Sequence, residues 1–282
     1  MRTIDTGTED LLARVDEGVA TLVMNRPHRR NALSIAMTEA MARALSELET
    51  DDEVGCVVLT GAGGAFCAGG DVKSMAGGED VSGGAGSGAT SARRPTYDEM
   101  VHLQRLNQRQ TSGRLYEMPK PTIAAIGGAA AGAGLSLALA CDLRYAGESA
   151  LLTTAFAKVA FAGDYGGTWF LTRLVGTSRA RELYYLSPRL GARDAERLGI
   201  VNAVFSDDEL EQEVGTIARR LAAGPRVTYR YMKENLNRAV LGELGECLDM
   251  EAAHHIRTGL TEDHREAATA FVEKREPLFK GR

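Results

Sequence analysis

Short β-type runs, Leu11-Leu12-Ala13-Arg14-Val15 and Val19-Ala20-Thr21-Leu22-Val23-Met24, flank Asp16-Glu17-Gly18, and this pattern predicts a hairpin closed by Pro27. The period then changes. After Ser34, a favoured N-cap, Met37, Met41, Ala44, Leu45 and Leu48 recur at helical spacing, and the unbroken run Cys-Val-Val-Leu-Thr from Cys56 predicts a buried strand. A helix is expected from about Asp98, ending before Pro119, with a TIAAI strand after Pro121. GAAAGAGLSLALA predicts a glycine turn opening a small-residue helix, and DLRYA is strand-like, with ALLTT leading on from it. TWFLTRLVG and TSRARELYYLS predict two helices separated by a stop at Gly176. ARDAERLG is a further helix that feeds the strand IVNAVF, and from Asp207 onward every pattern is helical. Strands alternating with helices and then helices alone imply an α/β core over residues 1–206 and a helical unit over 207–282.

Composition narrows the partners. The chain has 282 residues, with 33 Lys and Arg against 38 Asp and Glu. The net charge is −5, and both signs are interspersed, which argues against nucleic acid. Cys56, Cys67, Cys141 and Cys247 lie far apart, without C-x-x-C spacing or a nearby His cluster, so neither a metal site nor a disulfide framework is expected and a reducing cytoplasm fits. No secretory signal pattern opens the sequence. Thr122 to Cys141 carries no charge over a bilayer-spanning length, but its Gly and Ala content and β-branched start predict a buried strand, turn and helix, with no membrane partner. Gly77 to Thr96 is too rich in Gly, Ser and Ala to pack and is expected to be a mobile loop.

Two glycine-rich turns, AFCAGGDVK at 65–73 and GAAAGAGLS at 128–136, are placed to aim backbone N–H groups at a negative oxygen. A dinucleotide fingerprint fails at both, because the third small residue is missing and no acidic strand end follows; a phosphate-binding P-loop pattern is absent as well. Gly134-Leu-Ser136-Leu-Ala138 approaches the nucleophile elbow of serine hydrolases but ends in Ala138 instead of Gly, and the late histidines His254, His255 and His264 fall on a charged helical pattern. In the stretch FAGDYGGTW at 161–169, Asp164 precedes a helical pattern, where its simplest reading is an N-cap.

AFCAGGDVK, AAIGGAAAGAGLSLALACDLRYA, GDYGGTWFLTRLVG and AERLGIVNAVF, in that order, resemble the crotonase or enoyl-CoA hydratase/isomerase superfamily over nearly the whole length. The resemblance implies a spiral of ββα units, a C-terminal helical trimerisation domain, a homotrimer or dimer of trimers, and acyl-CoA thioester substrates. It also implies an oxyanion hole from the Gly70 and Ala133 amides, whose donors are indifferent to an Ala-for-Gly exchange, and CoA contacts at Arg29, Arg30, Ala32, Ala68 and Asp71. Coenzyme A is then part of the substrate, and no metal or redox cofactor is expected. The two glutamates of the hydratases correspond here to Ser136 and Phe156, which puts ordinary hydratase (lyase) chemistry in doubt, since neither side chain offers a carboxylate.

Members of the superfamily that isomerise double bonds or rings, and the aromatic dehalogenases, carry an acid where this chain has Asp164. The expectation is therefore an isomerase in which Asp164 shuttles a proton, its acidity tuned by flanking residues such as Phe161, Tyr165 and Trp169. Tyr97, Tyr165 and Trp169 are candidate pocket liners or core. The alternatives are a hydratase using Asp164 and a water, and a non-catalytic acyl-CoA-binding trimer.

Overall fold

The computed structural model describes residues 1–71 and 95–282. Most of the Gly77–Thr96 stretch, and the end of the AFCAGGDVK turn, lie outside the described residues.

A seven-stranded sheet forms the backbone of the molecule. Its strands are β1 (Arg2–Ile4), β2 (Leu11–Asp16), β3 (Val19–Met24), β4 (Cys56–Gly61), β6 (Thr122–Ile126), β8 (Leu143–Gly147) and β11 (Ala203–Phe205), hydrogen-bonded in that order. The first three are antiparallel, and each pairing from β3 to β11 is parallel. A smaller sheet runs β10 (Leu190–Gly191), β9 (Leu151–Thr153), β7 (Ala129–Ala131) and β5 (Ala65–Cys67). Successive pairs β4–β5, β6–β7 and β8–β9 each give one strand to either sheet, so the chain winds as a spiral. β1, β7, β9 and β10 are too short for the period-2 signal to reveal, and the sequence pattern misses them.

The helices are α1 (Ile35–Thr50), α2 (Tyr97–Gln108), α3 (Arg114–Glu117), α4 (Ala133–Ala140), α5 (Gly167–Leu186), α6 (Ala192–Arg197), α7 (Leu210–Ala222), α8 (Arg226–Ala239), α9 (Leu244–Gly259) and α10 (Glu262–Glu273). Ser34 caps α1 as expected, its hydroxyl accepting from the Met37 N–H. Met37, Met41, Ala44, Leu45 and Leu48 form its buried stripe. Gly176 leaves helical geometry inside α5 (φ 75°, ψ 165°), so the span consists of two helices broken by a kink at the expected glycine. Between α2 and α3 the chain makes one wide π turn, Arg109–Gly113.

Two apolar clusters hold these layers. The larger joins α1, β2, β3, β4 and α4 around Leu22, Met41, Leu59, Phe66 and Leu137. The smaller packs Leu210, Val214, Ala218 and Ala222 of α7 against Val58, Ile123 and Ala125 on the other face of the large sheet. The uncharged Thr122–Cys141 stretch resolves into β6, β7 and α4, and no helix among the described residues is long and apolar enough to cross a membrane. The last three helices leave Leu236, Leu248, Ile256, Phe271 and Val272 exposed, as is Leu260 between the final two.

Candidate active site

The first glycine turn is fixed from below by Asn31. Its buried side-chain amide donates to the carbonyls of Ala62 and Ala65, both at 2.8 Å, and accepts from the Arg26 N–H at 2.9 Å. That seat holds the 29–33 segment against the turn: the Ala68 N–H donates to Arg30 O at 3.0 Å and the Leu33 N–H to Gly69 O at 2.8 Å. Arg26 ties the segment together, donating to Ala32 O at 2.7 Å while pairing with Asp71 at 3.3 Å and Asp10 at 3.5 Å. Arg29, Arg30, Ala32, Ala68 and Asp71 thus share one edge of the molecule, with the Arg29 guanidinium 4.0 Å from Asp71.

The second turn comes alongside because side chains are missing where the backbones cross. A Cβ at Gly134 would run into the carbonyl and side chain of Cys67, and one at Gly69 (φ +88°) would lie 2.8 Å from Ala131 O and 3.3 Å from the Ala133 nitrogen. Only glycine permits both approaches. Gly70 therefore follows a residue in contact with the Ala133 amide. Ala133 opens α4, so its N–H has no intrahelical acceptor, and among the described residues neither it nor the Gly70 N–H donates within the chain.

Asp164 lies on the turn before α5. Its Oδ1 is buried and has no hydrogen-bond partner among the described residues. Burial alone pushes the carboxyl up to about 7. Burial pushes the Cys67 thiol of the first glycine turn up to about 12, and the Asp164 charge adds to that shift. It also adds to burial in raising the Tyr184 phenol. That ring stacks on Phe156 at 5.8 Å and lies under the Asp164 turn, where a Cβ at Gly163 would come within 3.3 Å of its edge. Ser136 Oγ and the Tyr184 hydroxyl both crowd Gly167. Ser136, Phe156, Asp164 and Tyr184 consequently share one neighbourhood.

The model of the family described as "Enoyl-CoA hydratase/isomerase" matches residues 14–282. This chain belongs to the enoyl-CoA hydratase/isomerase family. It is 37% identical to "1,2-epoxyphenylacetyl-CoA isomerase" of Escherichia coli over 97% of this chain and 99% of that one. It is 34% identical to "Probable enoyl-CoA hydratase" of Rhodobacter capsulatus, covering 95% and 96% of the two chains. Among solved structures, a crystal structure of a putative enoyl-CoA hydratase from Streptomyces coelicolor superposes with a TM-score of 0.87 at 32% identity, covering 97% and 94%. The crotonase-type spiral inferred from the motifs is thereby the fold of this protein.

Within this family member, several expected contacts differ. The Asp164 carboxylate does not cap α5: the N-cap is Gly166, with no side-chain cap bond, because the turn's own backbone closes Gly167 N–H onto Asp164 O at 3.0 Å. Phe161 is 48% exposed, and Tyr97 is 75% exposed. Trp169 joins an aromatic cluster with Tyr116 and Phe170 under Arg173. Tyr165 is fully buried core. The hydrolase alternative falls, because Ser136 Oγ donates to Gly132 O at 3.3 Å while His254 is engaged with Asn235 at 2.6 Å on the C-terminal helices. Among the described residues no cluster of metal-ligating side chains exists. Arg26, Asn31, Asn107, Gln108 and Tyr184 escaped sequence reasoning. Asn31 alone left a trace, as a polar residue pinned between Arg30 and the Ala32-Leu33 pair that enters the core.

Proposed function

We propose that this protein isomerises an enoyl-CoA thioester, shifting a double bond or rearranging a ring. The Gly70 and Ala133 N–H groups would hold the thioester oxygen and Asp164 would carry the proton. The observation that supports this most directly is a carboxyl group whose buried Oδ1 has no partner among the described residues and whose pKa burial raises to about 7, together with two main-chain donors of the glycine turns that are also unspent among those residues. A base tuned to the working pH is half deprotonated there, which suits a group that takes a proton from one carbon and returns it to another. When the C–H bond breaks, its electron pair moves toward the carbonyl oxygen, and two aligned amides stabilise that charge by about 2.7–4 kcal/mol each in comparable sites. Proton transfer of this kind requires no metal or redox group.

Hydration is the weaker reading, because Ser136 and Phe156 stand where a second acid is wanted, and one of these is spent on Gly132 O while the other stacks on Tyr184. We further propose that Arg29 and Arg30, with the Ala32, Ala68 and Asp71 edge, receive the coenzyme A portion. The four unpaired cysteines accord with action in the cytoplasm. The exposed apolar residues of α8 to α10 accord with a homotrimer or a dimer of trimers, to be read by light scattering.

Turnover decides the matter. A panel of enoyl- and phenylacetyl-type CoA thioesters should be isomerised by the wild type and not by Asp164→Asn, with thioester binding retained in both. Binding without any turnover across the panel favours a scaffold, and water addition that persists in Asp164→Asn overturns the proton shuttle.

A further inference from the structure

Asp164 opens a four-residue turn whose two central residues, Tyr165 (φ 48°) and Gly166 (φ 76°, ψ 7°), both have positive φ, the signature of a type I′ turn closed by Gly167 N–H on Asp164 O. Glycine, asparagine or aspartate normally fills the first central position. A tyrosine there is strained, and such strain persists only where the surroundings over-determine it. Those surroundings are on α2. The Tyr165 N–H donates to Gln108 Oε1 at 2.6 Å, and its hydroxyl accepts from Asn107 Nδ2 at 3.0 Å, while the ring between these two bonds is wholly buried in the core.

The clamp has its own support. α2 ends at Gln108 and opens into the π turn, where the buried hydroxyls of Thr111 and Ser112 bond back to Asn107 O at 2.7 Å and Gln108 O at 3.0 Å. Both clamping residues are therefore held at the place where the helix widens, and π turns of this kind recur at functional sites. Beyond its backbone carbonyl, Asp164 makes no hydrogen bond among the described residues that would hold its carboxylate, whose Oδ1 is buried and unpartnered.

We propose that Gln108 and Asn107 are positioning residues, which hold the Asp164 carboxylate toward the glycine turns by gripping Tyr165 at its backbone and at its hydroxyl. This rests on the proton-shuttle reading for its catalytic consequence but not for its structural one. Displacing a reacting group by about 1 Å can cost around 100-fold in rate.

The test is Gln108→Leu, which removes the acceptor of the Tyr165 N–H, with Tyr165→Phe as the milder variant should the first not fold. Each is assayed for kcat and KM on the best thioester of the panel and for titration of the Asp164 carboxyl carbon by NMR. The expected result is a kcat lowered about 10- to 100-fold with KM within about threefold, together with an Asp164 titration that moves from about 7 toward ordinary carboxylate values as the group turns to solvent. Folded variants whose kcat and titration both match the wild type overturn the proposal, and so does a rise in KM with the titration unmoved. If Asp164→Asn is fully active while Gln108→Leu still moves the titration, the shuttle reading fails and the positioning role stands.

Discussion

The Lys233 ammonium lies 2.9 Å from the Asp142 carboxylate, binding α8 to the start of β8 across 91 residues of sequence. Lys233 also donates to the carbonyls of Leu115 and Lys120, both at 3.1 Å, and the same Asp142 oxygen accepts from the Thr122 N–H and hydroxyl. Every donor of the ammonium is thus engaged in a largely buried place. Removing one member leaves the other charge uncompensated, so Lys233→Met is expected to destabilise the fold by about 3–5 kcal/mol. Urea denaturation measures this, and an unchanged midpoint would show the pair to be dispensable.

The second prediction concerns rate against pH. Since burial raises the Asp164 carboxyl to about 7 and the base form is the active one, kcat/KM should climb as pH rises through about 7 and level off above it. Asp164→Asn should abolish that limb and lower kcat by about 10²- to 10⁴-fold. A wild-type profile flat from pH 5 to 9 would contradict the assignment.

The same shift has a thermodynamic side. Asp164 binds its proton more tightly in the folded state (about 7) than in the unfolded one (near 3.8), so the unfolded chain holds fewer protons between those values and stability falls as pH rises from about 4 to 7. At roughly 1.36 kcal/mol per unit the cost of keeping the ionised group buried is of order 2–4 kcal/mol above pH 7. Asp164→Asn should accordingly melt higher than the wild type at pH 8 and about level with it at pH 4, as calorimetry at the two pH values will read.

The amides can be tested one at a time. Proline is tolerated at the first position of a helix, so Ala133→Pro deletes one N–H while leaving α4 its start. The expected loss is about 10²- to 10³-fold in kcat with unchanged circular dichroism. Ala133→Gly, which keeps the donor, should retain most activity. Equal activity in the proline variant would remove Ala133 from the mechanism.

Gly69→Ala is the harsher change. The new methyl would meet Ala131 O at 2.8 Å from a backbone already at φ +88°, forcing the two glycine turns apart. Loss of activity should exceed that of Ala133→Pro, and a crystal structure of the variant should reveal the turns separated.

Much was legible before any coordinates. The hairpin, the Ser34 cap, the stripe of α1 and the strand-turn-helix of 122–141 all follow from local periodicity and capping, which act over a few residues and leave their mark in order along the chain. The glycine turns were legible too, since a close backbone crossing admits little else. Tertiary structure alone decided which way Asp164 faces. Its spacing ahead of α5 suited a cap, yet the cap is Gly166, because Tyr165 is held in a left-handed conformation by Gln108 and Asn107 from a helix some 57 residues away in sequence. The desolvation that tunes the acid is likewise a product of tertiary burial, on a turn where Ser136 and Tyr184 close on Gly163 and Gly167. Conformational preferences are short-ranged and can be read along the sequence. Burial is a sum over neighbours in space, and only the folded chain chooses them.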